Sequence, residues 1–215
     1  MKCVVTAGPT YEPLDEVRRL TNFSTGKLGT ELANHLAAAG HEVILLRGAS
    51  ATYHCEVRAA KILTFTTAID LCDRLHSLAG KGVGAIFHAA AVSDFSFGKI
   101  WERMPGGQLI ECRSGKVSTR SGTLLAELLP TPKIITTLRD KFPRATLVGW
   151  KYEVEGSRTK VIANGKWQMV ECRTDACVVN GRAYGKGFGL MTSKSGCKHL
   201  STGSQLYAAL EKLLK

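Results

Sequence analysis

The sequence lacks several patterns that mark common protein classes. No apolar run approaches the roughly 20 residues that a membrane-spanning helix needs, so we expect no membrane partner. The seven cysteines are odd in number and include no C-x-x-C pair, so nothing in their spacing predicts a zinc or redox site, and we assign no metal ligand. We expect these thiols to be reduced. The first predicted strand begins almost at the N-terminus, which leaves no room for a signal peptide. Both expectations predict a cytoplasmic protein.

A dinucleotide-binding fingerprint is also missing. No G-x-G-x-x-G follows the first apolar run, and Arg47 stands where an acidic residue would end the second. A nicotinamide-dependent oxidoreductase therefore has little support, although the alanines at 89–91 would suit one. The chain has neither an internal repeat nor a low-complexity tail, and its 215 residues suit one domain, 1–215.

Positive charge is in excess, with a formal net charge of +11. The lysines and arginines are scattered along the chain, and no signature of nucleic-acid binding accompanies them. We therefore favour small anionic ligands over nucleic acid as partners, with the remaining charge on a solvated surface.

Residues 3–47 predict a βαβ unit, because two apolar runs flank an amphipathic helix. The loop after the first run is longer than the 2–6 residues of most such connections, which points to a functional loop. It contains Gly8, Ser24, Gly26 and Lys27. Small residues let backbone N–H groups approach an anion, and a helix that begins near Gly26 would direct its positive end towards it. We predict that a phosphate-bearing ligand binds here.

The rest of the chain alternates in the same way, which predicts an α/β fold: a Rossmann-like, doubly wound, mostly parallel sheet. Strands are predicted at 62–65, 84–90, 145–150 and 176–179, with an edge strand at 188–192. Helices are predicted at 68–79, from Pro132 onwards, within 156–171, and after a capping Ser204. The glycine-rich residues 93–122 predict a flap or hairpin arm beside the site.

Three predicted strands end in residues that could contact a ligand at the carboxyl edge of the sheet. Ala91 and Asp94 follow the first of these strands, where small side chains would admit a flat ring. Trp150 ends the next and could stack on a base. Asn180 ends the last and offers both a donor and an acceptor.

These segments resemble the phosphopantothenoylcysteine synthetase family, also called phosphopantothenate–cysteine ligase, along nearly the whole chain. TAGPTYEPLDEVRRLTNFSTGKLG at 6–29 is similar to the family's TAG-x-T-x-E-P-(I/L)-D-x-V-R followed by N-x-S-(S/T)-G-K-(M/L)-G. HAAAVSDF at 88–95, VGW at 148–150 and DACVVN at 175–180 resemble AAAVADY, VGF and D-x-(I/V)-x-A-N. The chain resembles a stand-alone ligase domain, the C-terminal half of the bifunctional flavoprotein.

The resemblance implies a ligase of coenzyme A biosynthesis. It would activate 4′-phosphopantothenate with CTP or ATP, release pyrophosphate, and let the amine of cysteine attack the acyl-nucleotide. Mg²⁺ and a homodimer are implied, and no flavin is expected because the flavoprotein half is absent. Asn22 would hold the acyl intermediate with support from Arg18, while Ala91, Asp94 and Trp150 would line the nucleotide pocket.

Several segments depart from the family pattern. The family's lysine-rich flap step, K-(I/L)-K-K, corresponds best to KVST at 116–119, which makes Lys116 the catalytic candidate and Lys99 its competitor. TPKI at 131–134 replaces N-P-D-I, and KYE at 151–153 replaces A-E-T. The family's lysines on the following helix have no clear match, although Lys160 and Lys166 lie in that region. Two alternatives therefore stay open: a non-catalytic paralogue that binds nucleotide or phosphopantothenate, and a ligase for a different acid.

Overall fold

The computed structural model describes residues 1–112, 115–117, 122–193 and 195–214, with only the backbone of Ser195. Part of the predicted flap, including Ser118 and Thr119 of its lysine step, lies outside the described residues. Within the described part, no helix has both the length and the apolar character to cross a bilayer.

Thirteen strands and five α-helices make up the described chain. The strands are β1 (Lys2–Ala7), β2 (Tyr11–Pro13), β3 (Arg19–Thr21), β4 (Glu42–Gly48), β5 (Lys61–Phe65), β6 (Val83–His88), β7 (Phe95–Arg103), β8 (Leu109–Glu111), β9 (Thr123–Pro130), β10 (Thr146–Tyr152), β11 (Ala176–Asn180), β12 (Phe188–Thr192) and β13 (Ser195–Leu200). The helices are α1 (Lys27–Ala38), α2 (Ala68–His76), α3 (Ile134–Lys141), α4 (Arg158–Glu171) and α5 (Gly203–Glu211), and a 3₁₀ turn covers Lys212–Leu214.

Eight strands form the central sheet in the order β5-β4-β1-β6-β10-β11-β12-β13. The six from β5 to β11 are parallel, and β12 and β13 continue the sheet antiparallel. Numbered along the chain, the parallel strands stand in the order 3-2-1-4-5-6, the doubly wound dinucleotide-fold order. The predicted Rossmann-like architecture is therefore confirmed, and its reversal point lies between β1 and β6.

Helices cover both faces of the sheet. One face packs against α1 and α5 through a core that includes Val5, Phe87 and Val178. The other face packs against α2, α3 and α4, with Ile86 and Leu147 in one cluster and Val179 in another. Strands buried on both sides need continuous apolar runs, which explains why β1, β6 and β11 were visible in the sequence.

Two small sheets stand beside the large one. The hairpin β2–β3 lies within the long loop after β1. The three-stranded arm β8-β7-β9 spans 95–130, so it overlaps the predicted flap and runs past its end. These sheets flank the carboxyl ends of β1 and β6.

Four details differ from the sequence predictions. β12 pairs on both sides, so the sheet edge there is β13, which the sequence did not predict. The strand at 61–65 is the opposite edge and is largely exposed. Pro132 precedes α3, which begins at Ile134. Thr202 rather than Ser204 caps α5, because its hydroxyl accepts the N–H of Gln205 at 3.3 Å.

Candidate functional site

The loops that follow β1 and β6 remain hydrogen-bonded to each other past the ends of the two strands. Pro9 and Ala91 form an isolated parallel bridge. The N–H of Ala91 donates to the carbonyl oxygen of Gly8 at 3.0 Å, and the N–H of Thr10 donates to the carbonyl oxygen of Ala91 at 3.1 Å. The two loops therefore form one rigid floor at the reversal point, where open α/β sheets bind ligands.

Asn22 is fastened to the same floor. Its Nδ2 donates to the carbonyl oxygen of Ala91 at 3.1 Å, although the residue is exposed. Its Oδ1 has no hydrogen-bond partner among the described residues. The structure thus brings together Asn22, Ala91 and Gly8, which belong to two separate sequence motifs, at 6–29 and 88–95.

Gly8 and Gly26 are required by close packing and by backbone conformation. Their φ angles are 86° and 82°, in the left-handed region that favours glycine. A Cβ on Gly8 would lie 2.8 Å from Cβ of Ala51, and one on Gly26 would lie 3.2 Å from Cα of Gly8. The loop after β4 thereby closes against the loop after β1, a contact that the sequence did not predict.

The amino end of α1 offers backbone donors at this floor. Its N-cap, Gly26, has no side chain to cap it, whereas Thr67, Ser157 and Thr202 cap three of the other helices. Oγ1 of Thr25 accepts the N–H of Lys27 at 3.3 Å. Lys27 is the first helical residue, and its side chain is 60% exposed. Together with the half-buried Ser24, these groups suit an anion.

A buried polar network supports the floor from below. The N–H of Ala90 donates to the hydroxyl oxygen of Thr6 at 3.0 Å, and that hydroxyl lies 3.0 Å from Nδ1 of His88. The Thr6 hydroxyl has one proton and two acceptor lone pairs, so it can accept from Ala90 and hydrogen-bond to Nδ1 of either neutral tautomer of His88. Burial lowers the pKa of His88 to about 4, so the ring is neutral at pH 7.

Thr10 and Ser93 form a second buried pair one step further along the loops. The N–H of Ser93 donates to Oγ1 of Thr10 at 2.8 Å, and that hydroxyl donates to Oγ of Ser93 at 3.1 Å. Neither this pair nor the Thr6–His88 pair was predicted. In each pair the partners lie more than 80 residues apart, so only the strand register brings them together.

The ends of β10 and β11 place two unpartnered polar atoms on one face. Side chains at alternate positions share a face, and Val148 and Val178 face the core under α1 and α5. Trp150 lies two residues after Val148, and Asn180 lies two residues after Val178. Both side chains therefore belong to the same face. Nε1 of Trp150 and Oδ1 of Asn180 are buried and have no hydrogen-bond partner in the described structure. The pair offers one donor and one acceptor.

Arg18 and Lys116 occupy a neighbouring region. The Arg18 guanidinium is bound to Asp15 and, at 2.7 Å, to the carbonyl oxygen of Val117. Lys116 lies exposed in the segment 115–117 beside it. A cavity of about 550 Å³ separates this hairpin turn from the arm, and Lys99, the competing flap lysine, lines it.

Of the remaining predicted residues, Asp94 and Lys160 lie at the carboxyl edge of the sheet, and Lys166 lies away from it. Asp94 is exposed just before β7, and its carbonyl oxygen accepts the N–H of Thr131 at 3.0 Å. Lys160 lies in the first turn of α4, at the carboxyl edge of the sheet. Lys166 lies six residues further along the helix, roughly 9 Å away from that edge. Within the described residues, no three His, Cys, Asp or Glu side chains group as a metal site would require.

Comparison with known proteins places this arrangement in a family. The sequence pattern of the DNA/pantothenate metabolism flavoprotein C-terminal domain matches residues 1–206. The chain belongs to this family. The predicted resemblance to the ligase half of the bifunctional flavoprotein is thereby confirmed.

Relatives of this C-terminal domain agree in sequence and in fold. The coenzyme A biosynthesis bifunctional protein CoaBC of Thermococcus kodakarensis is 31% identical over 179 residues, which is 83% of this chain and 41% of that protein. The chain therefore spans about two fifths of the length of this relative.

Two solved structures share the fold of this domain. The DNA/pantothenate metabolism flavoprotein of Streptococcus pneumoniae superposes with a TM-score of 0.85 at 22% identity, over 100% of this chain and 98% of that one. A Cab2 variant solved with phosphopantothenate-cysteine superposes with a TM-score of 0.70 at 18% identity, over 99% and 87%.

Proposed function

We propose that the protein joins 4′-phosphopantothenate to L-cysteine through an acyl-nucleotide intermediate, with release of pyrophosphate. Membership of the family and the name of the Thermococcus relative support a role in coenzyme A biosynthesis. The observation that carries the proposal is the hydrogen bond from Asn22 to Ala91, at a floor that also presents Gly8 and the amino end of α1. Acyl transfer of this kind needs charge stabilisation and positioning more than a protein nucleophile.

In this proposal the nucleotide lies across the carboxyl edge of the sheet. Its phosphates would meet the amino end of α1, and its base would lie over the small residues after β6 towards Trp150 and Asn180. The residues assigned to it are Gly8, Ser24, Gly26, Lys27, Ala91, Asp94, Trp150, Lys160 and Lys166. Asn22, Arg18 and Lys116 are assigned to the acyl group and the reacting phosphate.

The nucleotide is CTP or ATP, and Mg²⁺ would accompany it. Mg²⁺ is commonly held by substrate phosphates, waters and one or two carboxylates, and Asp94 is one carboxylate at the strand ends. The ion would neutralise charge on the phosphates as pyrophosphate leaves. We assign no flavin to this chain, and a yellow purified protein would contradict that assignment.

We further propose a homodimer in the cytoplasm. Large apolar side chains are exposed along the hairpin and the arm: Val17, Leu20, Phe23, Leu128 and Leu129. Exposed large apolar side chains that group into a patch are typical of a protein interface. All seven cysteines lie in the described part and are free, which fits a reducing compartment.

Pyrophosphate release tests the function directly. The protein is incubated with 4′-phosphopantothenate, Mg²⁺ and either CTP or ATP, with and without cysteine. We expect release that depends on the acid, and the amide product by mass spectrometry once cysteine is added. Ligand binding without release would favour the non-catalytic paralogue, and release with another acid would favour the ligase of different specificity.

A further inference from the structure

Asp15 accepts more hydrogen bonds than its own turn requires. The residue lies between β2 and β3, and its side chain is only 2% exposed. Its Oδ1 accepts the N–H groups of Val17 at 3.0 Å and Arg18 at 2.8 Å, which is a local turn interaction. Its Oδ2 accepts from Nε of Arg18 at 3.0 Å and from the N–H of Val117 at 3.2 Å. One oxygen therefore shapes the hairpin, and the other reaches a segment 102 residues away.

The segment 115–117 is held against the hairpin at both of its ends. The N–H of Glu16 donates to the carbonyl oxygen of Gly115 at 2.9 Å. Nη2 of Arg18 donates to the carbonyl oxygen of Val117 at 2.7 Å, and the Val117 side chain is 4% exposed. Lys116 lies between these two attachments.

Hydrogen bonds to Asp15 and from Arg18 hold this arrangement, and the Val117 side chain is buried in it. The cavity of about 550 Å³ lies between the hairpin turn and β7 and β8. The Arg18 guanidinium, assisted by the backbone N–H groups, holds the pKa of Asp15 well below its usual range. The carboxylate is thus charged throughout the neutral range and remains an acceptor for all its donors.

We propose that Asp15 is a positioning residue whose carboxylate holds the Arg18 side chain and the Val117 backbone in one arrangement, and so sets where Lys116 lies. This inference rests on the proposed function, in which Arg18 and Lys116 act on the substrates. In that proposal, Asp15 itself is not assigned a contact with either substrate. A carboxylate that only closed the β2–β3 turn would need Oδ1 alone, and Oδ2 would be free for solvent.

Amide hydrogen exchange tests the arrangement without reference to activity. In Asp15→Asn, an amide replaces the carboxylate, the charge that binds Arg18 is lost, and one oxygen no longer accepts. We expect the amides of Glu16 and Val117 to exchange at least tenfold faster, while those of β1 keep their wild-type rates. The matched control is Asp140→Asn, since Asp140 also pairs with an arginine, Arg173 at 2.7 Å, but is 67% exposed. Wild-type exchange at Val117 in Asp15→Asn would overturn the proposal.

Kinetics separate positioning from a purely structural role. We expect Asp15→Asn to lower kcat for pyrophosphate release about tenfold or more, with less than a threefold change in the KM of the nucleotide, and Asp15→Glu to recover part of the loss. In an Arg18→Lys background, Asp15→Asn should add little, because the two residues act as one unit. Faster exchange with wild-type kcat would overturn the positioning role. If the wild-type protein released no pyrophosphate, the proposed function would fail, and the exchange experiment would still decide the contact.

Discussion

At the scale of single residues, Asn22 combines an exposed position with a fixed donor. We expect Asn22→Asp to leave the fold intact and to lower amide formation about 100-fold, because a carboxylate cannot donate to the carbonyl oxygen of Ala91 and brings negative charge to an anionic intermediate. Product formation by mass spectrometry measures the loss, and circular dichroism checks the fold. Wild-type turnover would remove Asn22 from the mechanism.

Trp150 carries a donor that the family's phenylalanine lacks. If its buried Nε1–H serves the base, Trp150→Phe keeps an aromatic ring but leaves an acceptor of the nucleotide unpaired. We expect the nucleotide Kd to rise about fivefold to tenfold, which corresponds to about 1 kcal/mol. Calorimetric titration measures it, and Trp167→Phe on the exposed side of α4 is the control. Equal affinities for wild type and Trp150→Phe would mean that the indole N–H serves no ligand.

His88 should make stability depend on pH. The pKa is about 4 in the fold and about 6.5 in an unfolded chain, so between these values only the unfolded chain binds the proton. Stability is therefore complete above about pH 6.5 and is lost as the pH falls towards 4, by up to about 3 kcal/mol. In His88→Asn, the side-chain amide can still hydrogen-bond to Thr6 but does not titrate. Urea unfolding should give a steeper pH dependence for the wild type than for the variant, and parallel curves would refute this assignment.

Sequence reasoning selected the residues that we propose to face the ligand, but not the residues that hold them in place. Gly8, Ala91 and Asn22 lie in motifs whose small or amide side chains point to their chemistry. His88 and Asp15 give no such sign, because their roles come from partners 82 and 102 residues away. Cross-strand register and loop docking decide such contacts, and neither is written in a local pattern.

At the scale of elements, burial decided which parts of the fold were predictable. Strands covered on both faces, such as β1 and β11, carry continuous apolar runs. β3 has three exposed residues, and β13 contains Lys198 and His199. Both are strands because of their partners, β2 and β12, rather than because of their composition.

The contact between α1 and β1 can be tested at Gly29. A Cβ there would lie 2.7 Å from Cβ of Ala7 and 2.8 Å from the carbonyl oxygen of Thr6. We expect Gly29→Ala to push the helix from the strand and to lower the free energy of unfolding by about 2 kcal/mol. Gly106→Ala is the matched control, since nothing lies within 4 Å of its added methyl group. Denaturant unfolding compares the two variants. An equal free energy of unfolding would mean that α1 accommodates the added methyl group without loss of stability.

At the scale of the whole molecule, the proposed dimer predicts a dependence on Phe23. This side chain is fully exposed next to Asn22, and large aromatic side chains commonly anchor interfaces. Phe23→Ser should shift the protein from dimer to monomer in light scattering at micromolar concentration. Val170→Ser, which also removes an exposed apolar side chain but from α4, should not. A Phe23→Ser protein that remained dimeric would place the interface elsewhere.

The order of the central strands divides the chain into two consecutive halves. β1, β4, β5 and β6 all precede residue 89, and the later strands join them through the pairing of 85–88 with 146–149. The last pair of this seam, His88 with Gly149, lies at the edge where the nucleotide is proposed to bind. A ribosome-bound chain could complete the first half before the second is synthesised. A ligand in the crevice would therefore contact both halves and hold them together. At 100 times its Kd, it would add about 2.7 kcal/mol to the free energy of unfolding.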